Sequence, residues 1–418
     1  MRISIHTLGT RGDVQPYLAL ARRLAARGHD VRLAAPEQFA QWIASRGVAV
    51  DPLPGEFLAL IDSREGKQAI AGSDGFTAGL KLLPKVRPLM SGLLDAEAEA
   101  MRAFAPDMVI HHPKTLAAPH LAEAMGIPRI LASPLPGFTP TVEFPSPLLP
   151  FRSLGPFNRA SHGLAIHATN LLFGRTIRAF RAALGLPVRD TPPLAGTIYA
   201  YSEHVLPKPD DWGDDVLVSG YWFLDEGEDY TPPADLEAFL AAGDPPVYVG
   251  FGSMPGLDPV EIRDVFLAGI ALADRRAILS TGGGALAGGR STDDVFFLDA
   301  APHDWLFPRV GAVIHHGGAG TTAAALRAGR PNAICPFFGD QPFWARRVED
   351  LGVGPPPLDR RKLTGERIAG AIRVMEGAGM LARATDLGER IRGEQGVARA
   401  VAFIEDIAAS PARNSRRR

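Results

Sequence analysis

One cysteine, Cys335, stands in 418 residues. That excludes an internal disulfide framework and fits a reducing cytoplasm. It lies in the apolar run Ala333-Ile334-Cys335, where a buried inert thiol is expected rather than a nucleophile. No apolar run reaches the about 18 residues that cross a bilayer. The N-terminus opens on a strand pattern, not on a charged start with an apolar core, so no signal peptide is read. The expected compartment is the cytoplasm, with peripheral membrane contact left open. Charge of one sign is also missing: 44 Lys and Arg against 46 Asp and Glu leave −2, which gives no electrostatic case for nucleic acid as a partner. His111, His112 and His120 find no cysteine or nearby carboxylate to complete a metal set, and Asp210-Asp211, Asp214-Asp215 and Asp293-Asp294 read as solvated loop residues. No bound metal is expected.

What is present is alternation. The length argues for two domains on a prior of about 150 residues each. Strand patterns at 2–7, 30–35, 48–50, 107–111 and 129–132 alternate with helix patterns at 15–27, 37–46, 88–104 and 116–125. A helix at 158–184 and strands near 197–201 and 216–219 follow. A second alternation has strands at 247–251, 276–280, 295–298, 312–314 and 332–336. The fold class is α/β, with two doubly wound, Rossmann-like domains facing each other across a cleft. The expected division is 1–210, a proline- and aspartate-rich linker at 211–235, 236–385, and C-terminal helices at 386–418 packing back on the first domain, ending in a frayed tail. Residues 55–85 lack a firm pattern and suit mobile helices over a cleft. Residues 133–156 are dense in proline and aromatics; Phe138, Phe144, Leu148, Leu149 and Phe151 fit an apolar binding wall as well as packing under a neighbouring helix.

The most informative stretch is Val313-Ile314-His315-His316-Gly317-Gly318-Ala319-Gly320-Thr321-Thr322. It reads as a buried strand, a glycine turn and a helix start. Free amides and the partial positive charge of a helix start suit a phosphate, and a histidine and two threonine hydroxyls add donors. The dinucleotide fingerprint and the P-loop lysine are both absent. The expected ligand is a nucleotide-sugar diphosphate.

That stretch, together with Pro336-Phe337-Phe338-Gly339-Asp340-Gln341-Pro342-Phe343-Trp344 and Gly9-Thr10-Arg11-Gly12-Asp13-Val14-Gln15-Pro16-Tyr17, resembles family 1 glycosyltransferases, with sterol glucosyltransferases and bacterial natural-product glycosyltransferases as the similar branches. The resemblance implies a two-domain GT-B fold and inverting transfer of a hexose, glucose foremost, from a UDP- or TDP-sugar. The acceptor would be a hydroxyl on a lipophilic small molecule: a sterol, macrolide, polyketide or aromatic natural product. It implies no cofactor and no metal.

Carried across by residue, His316 contacts the diphosphate, and Gly318, Ala319, Gly320 and Thr321 supply turn and helix-start donors. Ser253 is a second phosphate contact, with a helix cap before Asp258 as the other reading. Asp340 and Gln341 hydrogen-bond sugar hydroxyls, and Gly12 lies with the donor. His303 takes the base through its backbone, with Leu279 or Trp305 nearby. Asp13 is the expected general base, with desolvation raising its pKa; the other reading is a cap on the helix near Gln15. Arg11 is left between Asp13 and phosphate. His111 and His112, with Phe138 and Phe144, are the acceptor candidates. An NDP-sugar epimerase on the same scaffold and a non-catalytic auxiliary protein of this fold remain the alternatives.

Overall fold

The computed structural model describes residues 1–56, 59–60, 63, 66, 75–187, 193–254 and 258–410, the side chains of 75–83, 164–166 and 168–170 excepted. The tail at 415–418 and much of the patternless stretch at 55–85 lie outside the described residues.

The first domain runs β1 (Arg2–His6), α1 (Arg11–Ala26), β2 (Asp30–Pro36), α2 (Ala40–Ser45), β3 (Ala49–Leu53), α3 (Gly75–Phe104), β4 (Met108–His111), α4 (Ala118–Met125), β5 (Arg129–Ser133), α5 (Asn158–Ala183), β6 (Gly196–Tyr199) and β7 (Val216–Val218). Its seven strands are parallel, in the order β3-β2-β1-β4-β5-β6-β7. The second domain runs α6 (Ala234–Ala241), β8 (Val247–Gly250), α7 (Pro259–Ala273), β9 (Ala277–Ser280), β10 (Val295–Leu298), α8 (His303–Leu306), β11 (Ala312–His315), α9 (Ala319–Arg327), β12 (Asn332–Ile334), α10 (Gln341–Asp350), α11 (Gly365–Met375) and α12 (Ala378–Gly393). Its five parallel strands follow β10-β9-β8-β11-β12. The last helix, α13 (Gly396–Ala409), returns to the first domain. Its Ala400, Val401, Ile404 and Ile407 share one buried core with Ile3, Leu18, Leu20 and Ile198.

Strands covered on both faces are apolar throughout rather than alternating, and β4 and β11 are buried along their whole length. Helix starts follow local chemistry. Asp258 caps α7, accepting from the amides of Val260 (2.8 Å) and Glu261 (3.0 Å), with Pro259 in the first position. Thr10 caps α1, and the Asp13 carboxylate reaches back to the Thr10 amide. That reciprocal cap starts α1 at Arg11 rather than at 15, and so places Asp13 in its first turn. α3 starts at Gly75 rather than at 88, with Pro84 and Pro88 inside it.

Two boundaries differ from the sequence expectation. β7 falls inside the linker expected at 211–235, yet it pairs with β6 through Thr197 and Val216, so the crossing between sheets occupies 219–233. The boundary at 385 cuts through α12, which packs on α9 of the second domain. Among the described residues no helix is long and apolar enough to cross a membrane.

The strand orders fix the site. The progression of strand order reverses once in each parallel sheet, between β1 and β4 in the first and between β8 and β11 in the second. Ligands of open parallel sheets bind beyond the carboxyl ends of strands at such a switch point. The turns after β1 and β4 therefore meet, as do those after β8 and β11.

Candidate active site

In the first domain β1 ends at His6, whose register partner on β4 is His111. The chain then turns through Gly9, at φ +142°, where a Cβ would sit 2.0 Å from Asp13 Oδ2. Only glycine leaves room for the carboxylate to fold back over the turn. Asp13 Oδ2 accepts from the Thr10 amide at 2.9 Å and its hydroxyl at 3.3 Å. Asp13 Oδ1 meets Lys114 Nζ at 2.7 Å and His112 Nε2 at 3.6 Å. Lys114 donates its own amide to His112 Nδ1 at 3.0 Å. That leaves the imidazole proton on Nε2, the nitrogen nearer Asp13.

Burial, then the Lys114 ammonium, press the His112 pKa down to about 3, so the ring is neutral near pH 7. Asp13 departs from expectation. Burial alone would raise its pKa, but Lys114, His112 and the Thr10 amide together hold it below the ordinary aspartate value. Desolvation was legible in the sequence; the cation beside Asp13 was not.

In the second domain β11 delivers His315 and His316 to the turn. His315 is buried and structural: Nδ1 accepts from the Gly317 amide at 3.0 Å, and Nε2 meets Asn332 Oδ1 at 3.2 Å. His316 crosses the mouth of the turn. A Cβ on Gly318 would lie 2.6 Å from its Nε2, so only glycine there spares the ring its position. His316 Nδ1 is buried with no hydrogen-bond partner among the described residues. Burial and the neighbouring His303 bring the His316 pKa to about 4.

α9 starts at Ala319 with Gly318 as its cap residue and no side-chain cap. The amides of Ala319, Gly320 and Thr321 thus have no intrahelical acceptor. Gly320 has open space where a Cβ would be. Thr322 is turned inward to the Gly318 carbonyl at 2.9 Å, while Thr321 stays half-buried.

Ser253 is exposed in the turn after β8, and Asp258 caps α7 in its place. Gly252 has φ +57°, and its backbone touches the Gly283 turn so closely that a Gly283 Cβ would fall 2.0 Å from it. His303 opens α8, stacked on Phe307 with centroids 4.3 Å apart; burial, then Arg11, lower its pKa to about 4. Asp340 precedes α10, and its Oδ2 accepts from Trp344 Nε1 at 2.8 Å rather than from the helix backbone. Burial raises the Asp340 pKa; Lys114 opposes this and Asp13 adds to it. The electrostatics thus tie Asp340 to Asp13 and Lys114 of the other domain. Gln341 is buried, its Oε1 taken by the amides of Phe337 (2.7 Å) and Phe338 (3.2 Å) and its Nε2 on Met254 Sδ at 3.2 Å. The Gln341 amide oxygen is thus engaged by backbone, and its nitrogen rests on a sulfur.

Comparison with known proteins decides the family. Residues 3–143 match the glycosyltransferase family 28 N-terminal domain, and residues 268–395 match the erythromycin biosynthesis protein CIII-like C-terminal domain. The chain is 36% identical to the sterol 3-beta-glucosyltransferase UGT80B1 of Arabidopsis thaliana over 96% of its own length and 67% of that protein's. This chain belongs to that glycosyltransferase family. A sterol 3-beta-glucosyltransferase of Aspergillus clavatus is also 36% identical over 97% of this chain, but the match spans only 29% of the fungal protein. The fold is GT-B. The kitacinnamycin glycotransferase superposes with a TM-score of 0.73 at 19% identity, covering 97% of this chain and 98% of that one. CalG4, the calicheamicin glycosyltransferase, gives 0.69 at 20% identity, covering 98% and 99%.

The glycosyltransferase divides its acceptor candidates. His112 stands at Asp13, whereas His111 is buried on β4 beside His6, its Nε2 without a hydrogen-bond partner among the described residues, its pKa lowered to about 3 by burial and then Arg129. Phe138 is half-buried, with its amide against Tyr199 Oη at 3.2 Å. Phe144 packs between His162, Trp212 and Phe343, the last from the second domain, 6.0 Å between centroids. It is partly buried at this contact between the domains.

Two residues escaped sequence reasoning. Lys114 carried a signal, a lysine just past a histidine pair at a strand end, that was not used. Glu226 gathers Arg11, Arg46 Nη2 (3.2 Å) and Trp42 Nε1 (3.1 Å), while its amide donates to Asp304 Oδ2 at 2.8 Å. Arg11 therefore turns to the crossing segment, not to Asp13. Among the described residues no cluster of three His, Cys, Asp or Glu is arranged to hold a metal.

Proposed function

We propose that this glycosyltransferase moves a hexose, glucose foremost, from a UDP- or TDP-sugar to a hydroxyl of a lipophilic acceptor such as a sterol, with inversion at the anomeric carbon. The observation that supports this most is the pairing of two half-sites across the cleft. Asp13 lies in one domain, the uncapped start of α9 and the unpartnered His316 in the other, and Asp340 senses both Asp13 and Lys114. In this reading the acceptor oxygen bonds to the anomeric carbon as its proton passes to Asp13. The bond from that carbon to the phosphate oxygen breaks, and the diphosphate leaves with the electron pair. Charge grows on the diphosphate as it leaves, so donors at the α9 start act more strongly in the transition state than before it.

Asp13→Asn tests the reading. It removes the base and keeps the shape, and a fall in kcat of about 10²–10⁴-fold is expected, with nucleotide affinity little changed. Turnover near that of the parent removes Asp13 from the role. EDTA is expected to leave the rate unaltered. Retention of anomeric configuration, or an epimerised donor formed without acceptor, overturns the assignment.

A further inference from the structure

Asp13 already has an occupant. Its Oδ2 is tied to Thr10, so Oδ1 is the oxygen left for an incoming proton, and Lys114 Nζ lies 2.7 Å from it. The lysine is anchored at its own backbone, whose amide bonds to His112, and its side chain is 54% exposed at the cleft. We propose that Lys114 is a positioning residue for the transfer step. Its ammonium fixes the Asp13 carboxylate in the resting enzyme and yields Oδ1 to the acceptor hydroxyl in the ternary complex. The inference rests on reading Asp13 as the base.

The groups facing Asp13 make the lysine decisive. His112 is neutral near pH 7, since burial keeps its pKa at about 3. Tyr17, one turn along α1, is buried with its pKa far above neutrality, and Asp13 itself adds to that shift. Arg11 is turned away to Glu226. Asp340, from the second domain, contributes negative charge. Lys114 is therefore the full positive charge in contact with Asp13 among the described residues. Beside an ammonium a carboxylate stays ionised but is a weak base. Exchange of the ammonium for an uncharged hydroxyl restores basicity only when an acceptor has arrived. Without an acceptor, a water at Oδ1 is not activated, which protects the donor from hydrolysis.

Two variants separate this from a surface ion pair: Lys114→Met keeps the length and drops the charge, and Lys114→Arg keeps the charge. The acid limb of kcat/KM reports the free enzyme, and that of kcat the substrate complex. Lys114→Met is expected to move the kcat/KM limb up by about one pH unit or more and leave the kcat limb in place, with Lys114→Arg close to the parent. Donor hydrolysis without acceptor is expected to rise in Lys114→Met. A second readout needs no turnover: the ¹³C resonance of the Asp13 carboxyl, assigned by its loss in Asp13→Asn, should titrate at higher pH in Lys114→Met. An unmoved Asp13 resonance, or coincident kcat/KM limbs in a variant that melts like the parent, overturns the inference. A moved resonance together with an active Asp13→Asn leaves the Lys114 contact standing and removes only the reading of Asp13 as base.

Discussion

Gly9→Ala concentrates the structural argument in one methyl group. The new Cβ would lie 2.0 Å from Asp13 Oδ2, and ordinary contact begins near 3.4 Å. The carboxylate must therefore retreat by roughly 1.4 Å, or the turn must open by as much. Either shift breaks the bond from the Thr10 amide, a charge-assisted contact worth about 1.5–3 kcal/mol. Alanine at φ +142° adds backbone strain of about 1–3 kcal/mol. A displacement near 1 Å at a reacting group costs about 10²-fold in rate, so kcat should drop by about that factor. Donor affinity should hold, because His316 and α9 belong to the other domain. Gly12→Ala is the control for space in the turn: its Cβ meets nothing nearer than the Thr10 hydroxyl at 3.8 Å, so it should fold and melt like the parent. Initial rates, nucleotide titration and thermal melts on both variants decide the matter. A Gly9→Ala enzyme with parental kcat, or one that loses donor affinity as steeply as turnover, would refute the placement of Asp13.

Two more outcomes follow from the same geometry. His111, His112 and His315 have pKa values near 3, and His120, His303 and His316 near 4, with burial the leading cause for each. Below about pH 6.5 the unfolded chain takes up protons that these folded rings refuse, so stability should fall by up to about 1.4 kcal/mol per pH unit for each ring. Urea midpoints that stay flat from pH 7.5 to 5 would contradict the burial. Ser253→Ala should weaken donor binding and leave the melt unchanged, while Asp258→Ala should lower the melting temperature by removing the α7 cap and leave kcat alone; reversed effects would return the capping role to Ser253.

The legible parts of this chain were local ones. The run from His315 to Thr322 carries strand, turn and helix start within eight consecutive residues, so glycine placement and helix chemistry suffice to read it. Asp13 was legible as a residue but not as an environment. Its cation lies 101 positions away, and only the pairing of β1 with β4, His6 opposite His111, brings the two together. Strand order is not written in hydrophobic periodicity. The linker bound at 211 cut off β7 because three residues, Val216 to Val218, show a short strand pattern but not that it pairs with β6. Phe144 could not be told from a binding wall, since an aromatic in a proline-rich segment looks alike whether it faces a ligand or Phe343 of the other domain.

The charges at the cleft carry the reasoning one step further. The histidines on its two sides, His112, His303 and His316, are neutral in the resting protein, and Lys114 is already bound to Asp13. A diphosphate seated at α9 would thus first meet dipoles rather than full positive charges: three amides without acceptors, a threonine hydroxyl and one imidazole. Such donors need little reorganisation as charge builds, and they act in a partly water-excluded place where each counts for more. The diphosphate would in turn offset the burial that depresses His316, raising its pKa from about 4.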